Sequence, residues 1–229
     1  MKKKYIFFSA VCLFAFAGIT FTSCSSDDDG EAKVVRATDK GTFTDTRDGN
    51  VYRWVRYGNL EWMADNFRLN LNDDVRCWLY GDPNGKRVDV NKYGRLYTYQ
   101  GALDACPEGW RLPTDEDWRQ LEMLLGMSKN DADAYEWRGN IAKSMLTMYG
   151  DSTDLNLILA GLYSSHNTGG QAYGYHMGSL GYYWTSTVDS VKGAGFYFYR
   201  RFIYNRTSVY RQSTDGDNFF SVRYVRDAE

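Results

Sequence analysis

The sequence predicts an α+β domain with paired terminal strands, two or three short helices and a long loop region. Strand-like alternation of apolar residues near both ends predicts the sheets, and capped apolar faces between them predict the helices. Composition agrees, because the 229 residues include 19 tyrosines and only 3 prolines. Tyrosine- and glycine-rich chains without long helices are typical of sheets joined by ordered loops.

The first strands are predicted within residues 41–66. Val51 and Val55 are apolar among polar neighbours, and a Gly-Asn turn signal at 58–59 separates one strand from the next. The stretch from 70 to 92 is rich in Asn, Asp and Gly, which favours a loop.

The strongest helix signal begins at Thr114. Its hydroxyl suits an N-cap, three acids at 115–117 suit the positive end of a helix dipole, and Gly126 is a natural stop. One apolar face is formed by Trp118, Leu121, Leu124 and Leu125. Weaker helices are predicted over 140–149 and 98–105.

Short apolar runs between glycines follow residue 155 and predict a second set of strands. The clearest are 196–199 and 219–225, where Val222 and Tyr224 face away from Ser221 and Arg223. Pairing of the first and last strands would leave both ends of the domain on one side.

The N-terminus has the order of a lipoprotein signal. Three lysines at 2–4 precede an uncharged, mostly apolar run at 5–21, which is the build of a secretory signal. The run falls short of the roughly 20 apolar residues that a spanning helix needs. Phe21-Thr22-Ser23-Cys24 resembles the lipobox of bacterial lipoproteins, which implies a signal peptide over 1–23 and lipids on Cys24.

An acidic, flexible tether is predicted over 24–41. Its start, Ser25-Ser26-Asp27-Asp28-Asp29, resembles the export signal of Bacteroidota surface lipoproteins. That resemblance implies a lipid-anchored protein on the outer face of the outer membrane, with the membrane as its partner through Cys24. A plain solvated linker explains the same charge run.

A series of motifs resembles the Fibrobacter succinogenes major paralogous (FISUMP) domain. The motifs are Phe43-Thr44-Asp45-Thr46-Arg47-Asp48-Gly49-Asn50-Val51-Tyr52, Trp62-Met63-Ala64-Asp65-Asn66, Tyr93-Gly94-Arg95-Leu96-Tyr97-Thr98, Ala105-Cys106-Pro107-Glu108-Gly109-Trp110-Arg111-Leu112-Pro113-Thr114, Tyr183-Trp184-Thr185-Ser186-Thr187 and Phe220-Ser221-Val222-Arg223. They occur in the family's order. The resemblance implies a C-type lectin-like domain over 42–229, on cell-surface lipoproteins of largely undefined role.

Cys77 and Cys106 are the cysteines left once the signal and the lipid site are set aside. An oxidising compartment favours a disulfide between them, with two free buried thiols as the alternative. Many members of the family have a cysteine where Tyr224 stands here, so the usual partner of Cys106 is expected to be missing.

No catalytic or metal-binding pattern is recognised, so no enzyme, cofactor or metal is predicted. The stretch 111–114 also resembles formylglycine-generating enzymes, but no cysteine follows Cys106 to supply their chemistry. His166 beside two serines lacks a nucleophile elbow, and helix capping explains the acids at 115–117. Two cysteines and two distant histidines do not make a zinc site, and a mildly acidic chain argues against nucleic acid.

Aromatic residues crowd a glycine-rich stretch that is predicted to form a long binding loop. The candidates for ligand binding are Tyr163, Tyr173, Tyr175, His176, Tyr182 and Trp184. Packing in the core is the alternative for such residues. Ser152 and Ser190 follow aspartates in turn-like surroundings and resemble O-glycosylation acceptors of exported Bacteroidota proteins.

These features predict a non-catalytic binding or adhesion module that engages a glycan or a surface protein. A structural or assembly subunit of a cell-surface complex is the first alternative, and an unrecognised hydrolase is the second.

Overall fold

The described part of the chain is residues 35–79, 88–164 and 176–229 of a computed structural model. It contains two four-stranded and two two-stranded antiparallel sheets with several short helices. The strands are β1 (Asp39–Thr44), β2 (Val51–Tyr57), β3 (Leu60–Met63), β4 (Cys77–Trp78), β5 (Leu96–Tyr97), β6 (Glu136–Arg138), β7 (Tyr163–Ser164), β8 (Leu180–Val188), β9 (Phe196–Ile203), β10 (Val209–Asp215), β11 (Asn218–Phe219) and β12 (Val225–Asp227). The helices are α1 (Val90–Tyr93), α2 (Tyr99–Asp104), α3 (Asp115–Leu124), α4 (Lys129–Asp133), α5 (Ala142–Met145) and a 3-10 turn (Thr147–Tyr149).

The first sheet has the order β1-β2-β3-β12. The N- and C-terminal strand segments pair as predicted, because the last strand β12 pairs with β3. The first strand β1 does not itself contact β12, because the β2–β3 hairpin lies between them. The hairpin turns at Gly58, whose φ of +59° favours glycine. Strand β1 begins at Asp39, so the ordered domain starts inside the stretch 24–41 that was predicted to be a tether. Within this strand, Gly41 lies so close to the Trp54 ring that a Cβ atom would clash with the ring.

The second sheet has the order β6-β10-β9-β8. Its strands β8 and β9 pair from Leu180↔Ile203 to Trp184↔Tyr199, and an irregularity follows before Val188. The predicted strand over 196–199 is confirmed and is longer. The predicted strand over 219–225 is interrupted, because only Phe219 and Val225 belong to β11 and β12, and Phe220 and Ser221 form isolated bridges.

The predicted helix after Thr114 is confirmed as α3, the longest helix of the described residues. Thr114 Oγ1 accepts from the Asp117 amide while the Asp117 carboxylate accepts from the Thr114 amide, which is a reciprocal capping box. The weaker helices correspond to α2 and to α5 with its 3-10 turn. The one-turn helices α1 and α4 were not predicted.

Two apolar cores lie on opposite faces of the central strands. The first includes Val55, Trp62, Trp118, Leu121, Tyr183 and Phe202. The second includes Tyr52, Phe67, Tyr97, Trp110, Trp184, Phe220 and Tyr224. Adjacent residues of a strand point to opposite faces, so Tyr183 enters the first core while Trp184 enters the second.

The predicted disulfide is wrong, because Cys77 and Cys106 are both free. The Cys77 thiol donates to the Leu69 carbonyl oxygen at 3.6 Å, and the Cys106 thiol donates to the Trp110 carbonyl oxygen at 3.1 Å. Burial raises the pKa of the Cys106 thiol to about 11, which keeps it protonated and unreactive at neutral pH. Both cysteines therefore pack as small apolar residues of the second core.

Candidate functional site

Two of the predicted ligand-binding aromatics are core residues. Trp184 has no exposed surface and donates its indole N–H to the Tyr97 carbonyl oxygen at 2.8 Å. Tyr182 is only 7% exposed and stacks on Phe220 with ring centroids 4.8 Å apart. Their assignment to a surface loop is wrong, because β8 runs between the two cores and both of its faces are covered.

The other candidates do not come together in the described residues. Tyr163 is half-buried and stacks on Trp78, with ring centroids 4.9 Å apart and planes 17° apart. His176 is exposed and has a φ of +65°. Tyr173, Tyr175 and Cys24 lie outside the described residues.

The two serines proposed as glycan acceptors differ in exposure. Ser190 is exposed in the turn after β8, and the neighbouring Asp189 is buried and accepts from Ser213 Oγ. Ser152 is half-buried beside Asp151, whose carboxylate accepts from the Asn156 amide at 2.5 Å. Ser190 is therefore the more accessible of the two, and its modification stays a prediction.

One cross-strand row of the second sheet combines aromatic rings with an arginine. Trp137 of β6 lies opposite Tyr210 of β10, Tyr210 lies opposite Arg201 of β9, and Arg201 lies opposite Tyr182 of β8. Residues directly opposite each other share one face of the sheet. We call these four residues the arginine–aromatic row. Tyr182 forms its buried end, whereas Trp137, Tyr210 and Arg201 are half-buried.

The Arg201 guanidinium lies among the rings of this row. Its Cζ is 3.9 Å from the Tyr210 ring centroid and 4.9 Å from that of Trp137, distances at which the ring quadrupole attracts a cation. Arg206 reaches back from the β9–β10 turn and places its Cζ 4.6 Å from the Trp137 centroid. Within the described residues, neither arginine has a salt-bridge partner.

The opposite face of the same sheet carries a buried ion cluster. Arg200 donates to Asp115 Oδ1 at 2.6 Å and to Glu122 Oε1 at 2.8 Å. Arg211 makes a forked contact with Asp115, and Arg138 donates to Glu122 Oε2 at 2.7 Å. The side chains of this cluster are at most 9% exposed, so it anchors α3 to the sheet and is closed to a ligand.

The arginine–aromatic row is not among the sites predicted from the sequence, although the sequence carries part of its signal. The alternation of residues 196–203 places Tyr199 and Arg201 on one face and Arg200 on the other. Trp137, however, follows Glu136 with a φ of +62°, in a three-residue strand that no apolar pattern marks. Only the tertiary pairing of β6 with β10 brings Trp137 to this surface.

Other concave surfaces lie within the described residues, and one of them is lined by Tyr99, Gln100, Asp215 and Asp217. A groove of about 440 Å³ lies between the β2–β3 turn and α3, lined largely by Tyr57, Leu60, Trp62, Leu121 and Leu124. Within the described residues, no cluster of three or more His, Cys, Asp or Glu side chains can hold a metal ion. In the turn at 215–218, Asp215 Oδ1 accepts from the Asp217 amide and from Asn218 Nδ2.

A family profile described as the Fibrobacter succinogenes major domain matches residues 55–226, about three quarters of the chain. The chain belongs to this family. No curated protein and no solved structure matches the chain. Among the described residues, no helix is long and apolar enough to span a membrane.

The motifs that resemble the Fibrobacter succinogenes major domain correspond mainly to buried positions. Trp62, Tyr97, Trp184 and Arg223 are each at most 2% exposed, and Trp110 is 7% exposed. In this member of the family, the motifs therefore preserve the packing of the two cores, and the arginine–aromatic row lies outside them.

Proposed function

We propose that this protein is a non-catalytic binding module that engages a glycan at the arginine–aromatic row. The observation that carries the proposal is the convergence of half-buried Trp137 and Tyr210 with Arg201, which has no ion partner among the described residues. Aromatic rings with polar tips suit sugar rings, and convergent hydrogen-bond donors orient them. We further propose that the mixed helices and antiparallel sheets form a C-type lectin-like fold.

The disposition of three buried carboxylates, those of Asp115, Glu122 and Asp45, supports a non-catalytic role. A general acid or a nucleophilic carboxylate must be open to substrate, whereas Asp115 and Glu122 are buried and bound by arginines. Asp45 is also held by Arg47, with Oδ2 and Nη2 2.7 Å apart. Such carboxylates anchor structural elements and have no free oxygen to offer a substrate.

Removal of the Trp137 ring should weaken glycan binding by about tenfold. The variant loses a ring that contacts the sugar and that also supports the guanidinium groups of Arg201 and Arg206. Binding of the wild type, Trp137→Ala and Tyr135→Ala to a glycan array gives the measurement. Tyr135 is the matched control, since its exposed ring packs on Phe198 and Arg211 at the other face.

Equal glycan binding by wild type and Trp137→Ala would contradict the proposal, provided that both melt at similar temperatures. Absence of glycan binding together with a co-purified protein lost from Trp137→Ala would instead indicate an assembly subunit. Product release from a glycan by pure wild type would indicate a hydrolase.

We also propose that the protein is displayed on the outer membrane by lipids on Cys24. The basic, apolar and cysteine order of residues 1–24 supports this, and several acyl chains hold a soluble domain at a bilayer. Cys24→Ala should abolish labelling by radioactive palmitate and release the protein from the membrane fraction. Cys106→Ala is the matched cysteine control, and unchanged labelling of Cys24→Ala would refute the anchor.

A further inference from the structure

We infer that the glycan bound at the arginine–aromatic row carries carboxylates, as uronic acid units do. This inference rests on the proposed glycan binding and narrows it to one chemical class. It follows from the charge, the immobilisation and the surroundings of Arg201 and Arg206.

The two arginines form a local positive charge that the described residues do not neutralise. Among the described residues, neither arginine has a carboxylate within salt-bridge distance. Arg200, which is adjacent to Arg201 in β9, instead binds two carboxylates on the opposite face of the sheet. The chain as a whole has a formal charge of −2, so general excess of basic residues does not explain this surface. An anionic group is the complement that the row lacks.

The guanidinium of Arg201 is held in position before any ligand arrives. Its Nε is enclosed and has no hydrogen-bond partner among the described residues. The ring centroids of Tyr210 and Trp137 lie 3.9 and 4.9 Å from its Cζ. No hydrogen bond to its terminal nitrogens is found in the described part of the chain. A planar fork that is already ordered loses little entropy on binding, and it matches the two oxygens of a carboxylate.

The rings also favour a charged sugar over a neutral one. Arg201 and Arg206 both lie within 5 Å of the Trp137 centroid, so guanidinium groups already occupy space beside the indole. A ligand therefore meets cations and the half-buried Tyr210 together, and a sugar ring that bears a carboxylate satisfies both. A second copy of this chain is a poor occupant, since a twofold contact through the row would place like charges opposite each other.

Affinity for polyuronates tests the inference on the full-length lipidated protein in detergent. Polygalacturonate, alginate and hyaluronan are each compared with their carboxyl-reduced, neutral forms. We expect at least one polyuronate to bind about tenfold more tightly than its reduced form. Arg201→Gln should remove that preference, Arg206→Gln should reduce it, and Arg201→Lys should restore it only in part because an ammonium lacks the fork.

Arg53→Gln is the matched control, because Arg53 is exposed and already paired with Asp65. It should leave polyuronate binding unchanged, and thermal melts confirm that every variant is folded. Equal binding to a polyuronate and its reduced form would overturn the carboxylate inference while leaving glycan binding intact. Absence of binding to every acidic and neutral glycan would overturn both, as would tight binding of only nucleic acid or an acidic peptide.

Discussion

Replacing Arg223 by methionine should lower the free energy of unfolding by about 3–5 kcal/mol, although none of the described carboxylates pairs with Arg223. The Arg223 side chain is 1% exposed and donates to four acceptors. These are Asn66 Oδ1 at 2.7 Å and the carbonyl oxygens of Met63 at 3.0 Å, Leu155 at 2.7 Å and Asn156 at 2.7 Å. Methionine fills much of the volume but leaves these acceptors without a donor.

Urea denaturation of the wild type and Arg223→Met gives the measurement, and the melting temperature should fall by about 6 °C or more. Arg76→Met is the matched control, because Arg76 pairs with Asp73 and Asp104 at the surface and its side chain is 42% exposed. Exposed ion pairs contribute little, so Arg76→Met should behave like the wild type. A larger loss from Arg76→Met than from Arg223→Met would contradict the argument.

Arg223→Lys separates the charge of Arg223 from its shape. Lysine keeps the positive charge, but its single ammonium cannot reach four acceptors arranged around a planar fork. Burial lowers the pKa of Arg223, so a positive charge with fewer hydrogen bonds is still less favourable there. We expect Arg223→Lys to be as unstable as Arg223→Met, and wild-type stability of the lysine variant would show that charge alone suffices.

Features encoded within a few residues could be predicted from the sequence. Helix α3 begins after Thr114 as expected, because a capping box needs only Thr114 and Asp117. The β2–β3 turn could be read for the same reason, since Gly58 alone supplies the positive φ. The family could also be recognised from its motifs, and the match over 55–226 confirms it.

Features that depend on distant partners could not be predicted. The sequence shows both cysteines but not the backbone geometry that decides whether a disulfide can form. In the structure, each thiol donates a hydrogen bond to a carbonyl oxygen no more than eight residues away. Composition marked Tyr182 and Trp184 as aromatic without indicating that cores cover both faces of β8. Tyr224 is a further example, because it is fully buried and its hydroxyl donates at 2.5 Å to the carbonyl oxygen of Ala102, which is distant in sequence.

The candidate site also depends on residues that are distant in sequence, so it could not be predicted. Trp137 and Tyr210 are far apart in sequence and meet through the pairing of β6 with β10. An aromatic-rich sequence predicted that an aromatic surface exists, but sheet pairing decides which rings reach it. Within the predicted loop, Tyr182 and Trp184 are core residues. The arginine–aromatic row lies on strands that the sequence predicted only in part.

Asp115→Asn should destabilise the protein by about 3–5 kcal/mol, because it removes a buried charge on which two arginines depend. Arg200 Nη1 lies 2.6 Å from Asp115 Oδ1, and Arg211 Nη2 lies 2.7 Å from Asp115 Oδ2. An amide presents one acceptor in place of two and turns an N–H group toward a guanidinium. Urea denaturation at neutral pH gives the measurement.

Glu116→Gln is the matched control, because Glu116 is adjacent and also lies in the first turn of α3. Its side chain is 51% exposed and pairs with Arg119 at the surface. The loss for this variant should stay below about 1 kcal/mol. Since both substitutions remove one acid from the same helix end, similar losses would mean that the helix dipole, and not the buried cluster, accounts for the effect.

The pH dependence of the free energy of unfolding separates the contribution of the Asp115 carboxyl from that of other carboxyls. Burial by itself raises the pKa of the Asp115 carboxyl, but Arg200 and Arg211 outweigh that effect and hold the pKa at about 2, below the usual 3.8. A carboxyl whose pKa is lower in the folded than in the unfolded protein stabilises the folded state at pH values above the unfolded pKa.

The free energy of unfolding of the wild type should therefore fall by about 2 kcal/mol through this group as the pH falls from about 4 to about 2. Asp115→Asn has no carboxyl to titrate at this position, so its stability should fall less steeply over that range. Parallel losses in the two proteins would show that other carboxyls control acid unfolding.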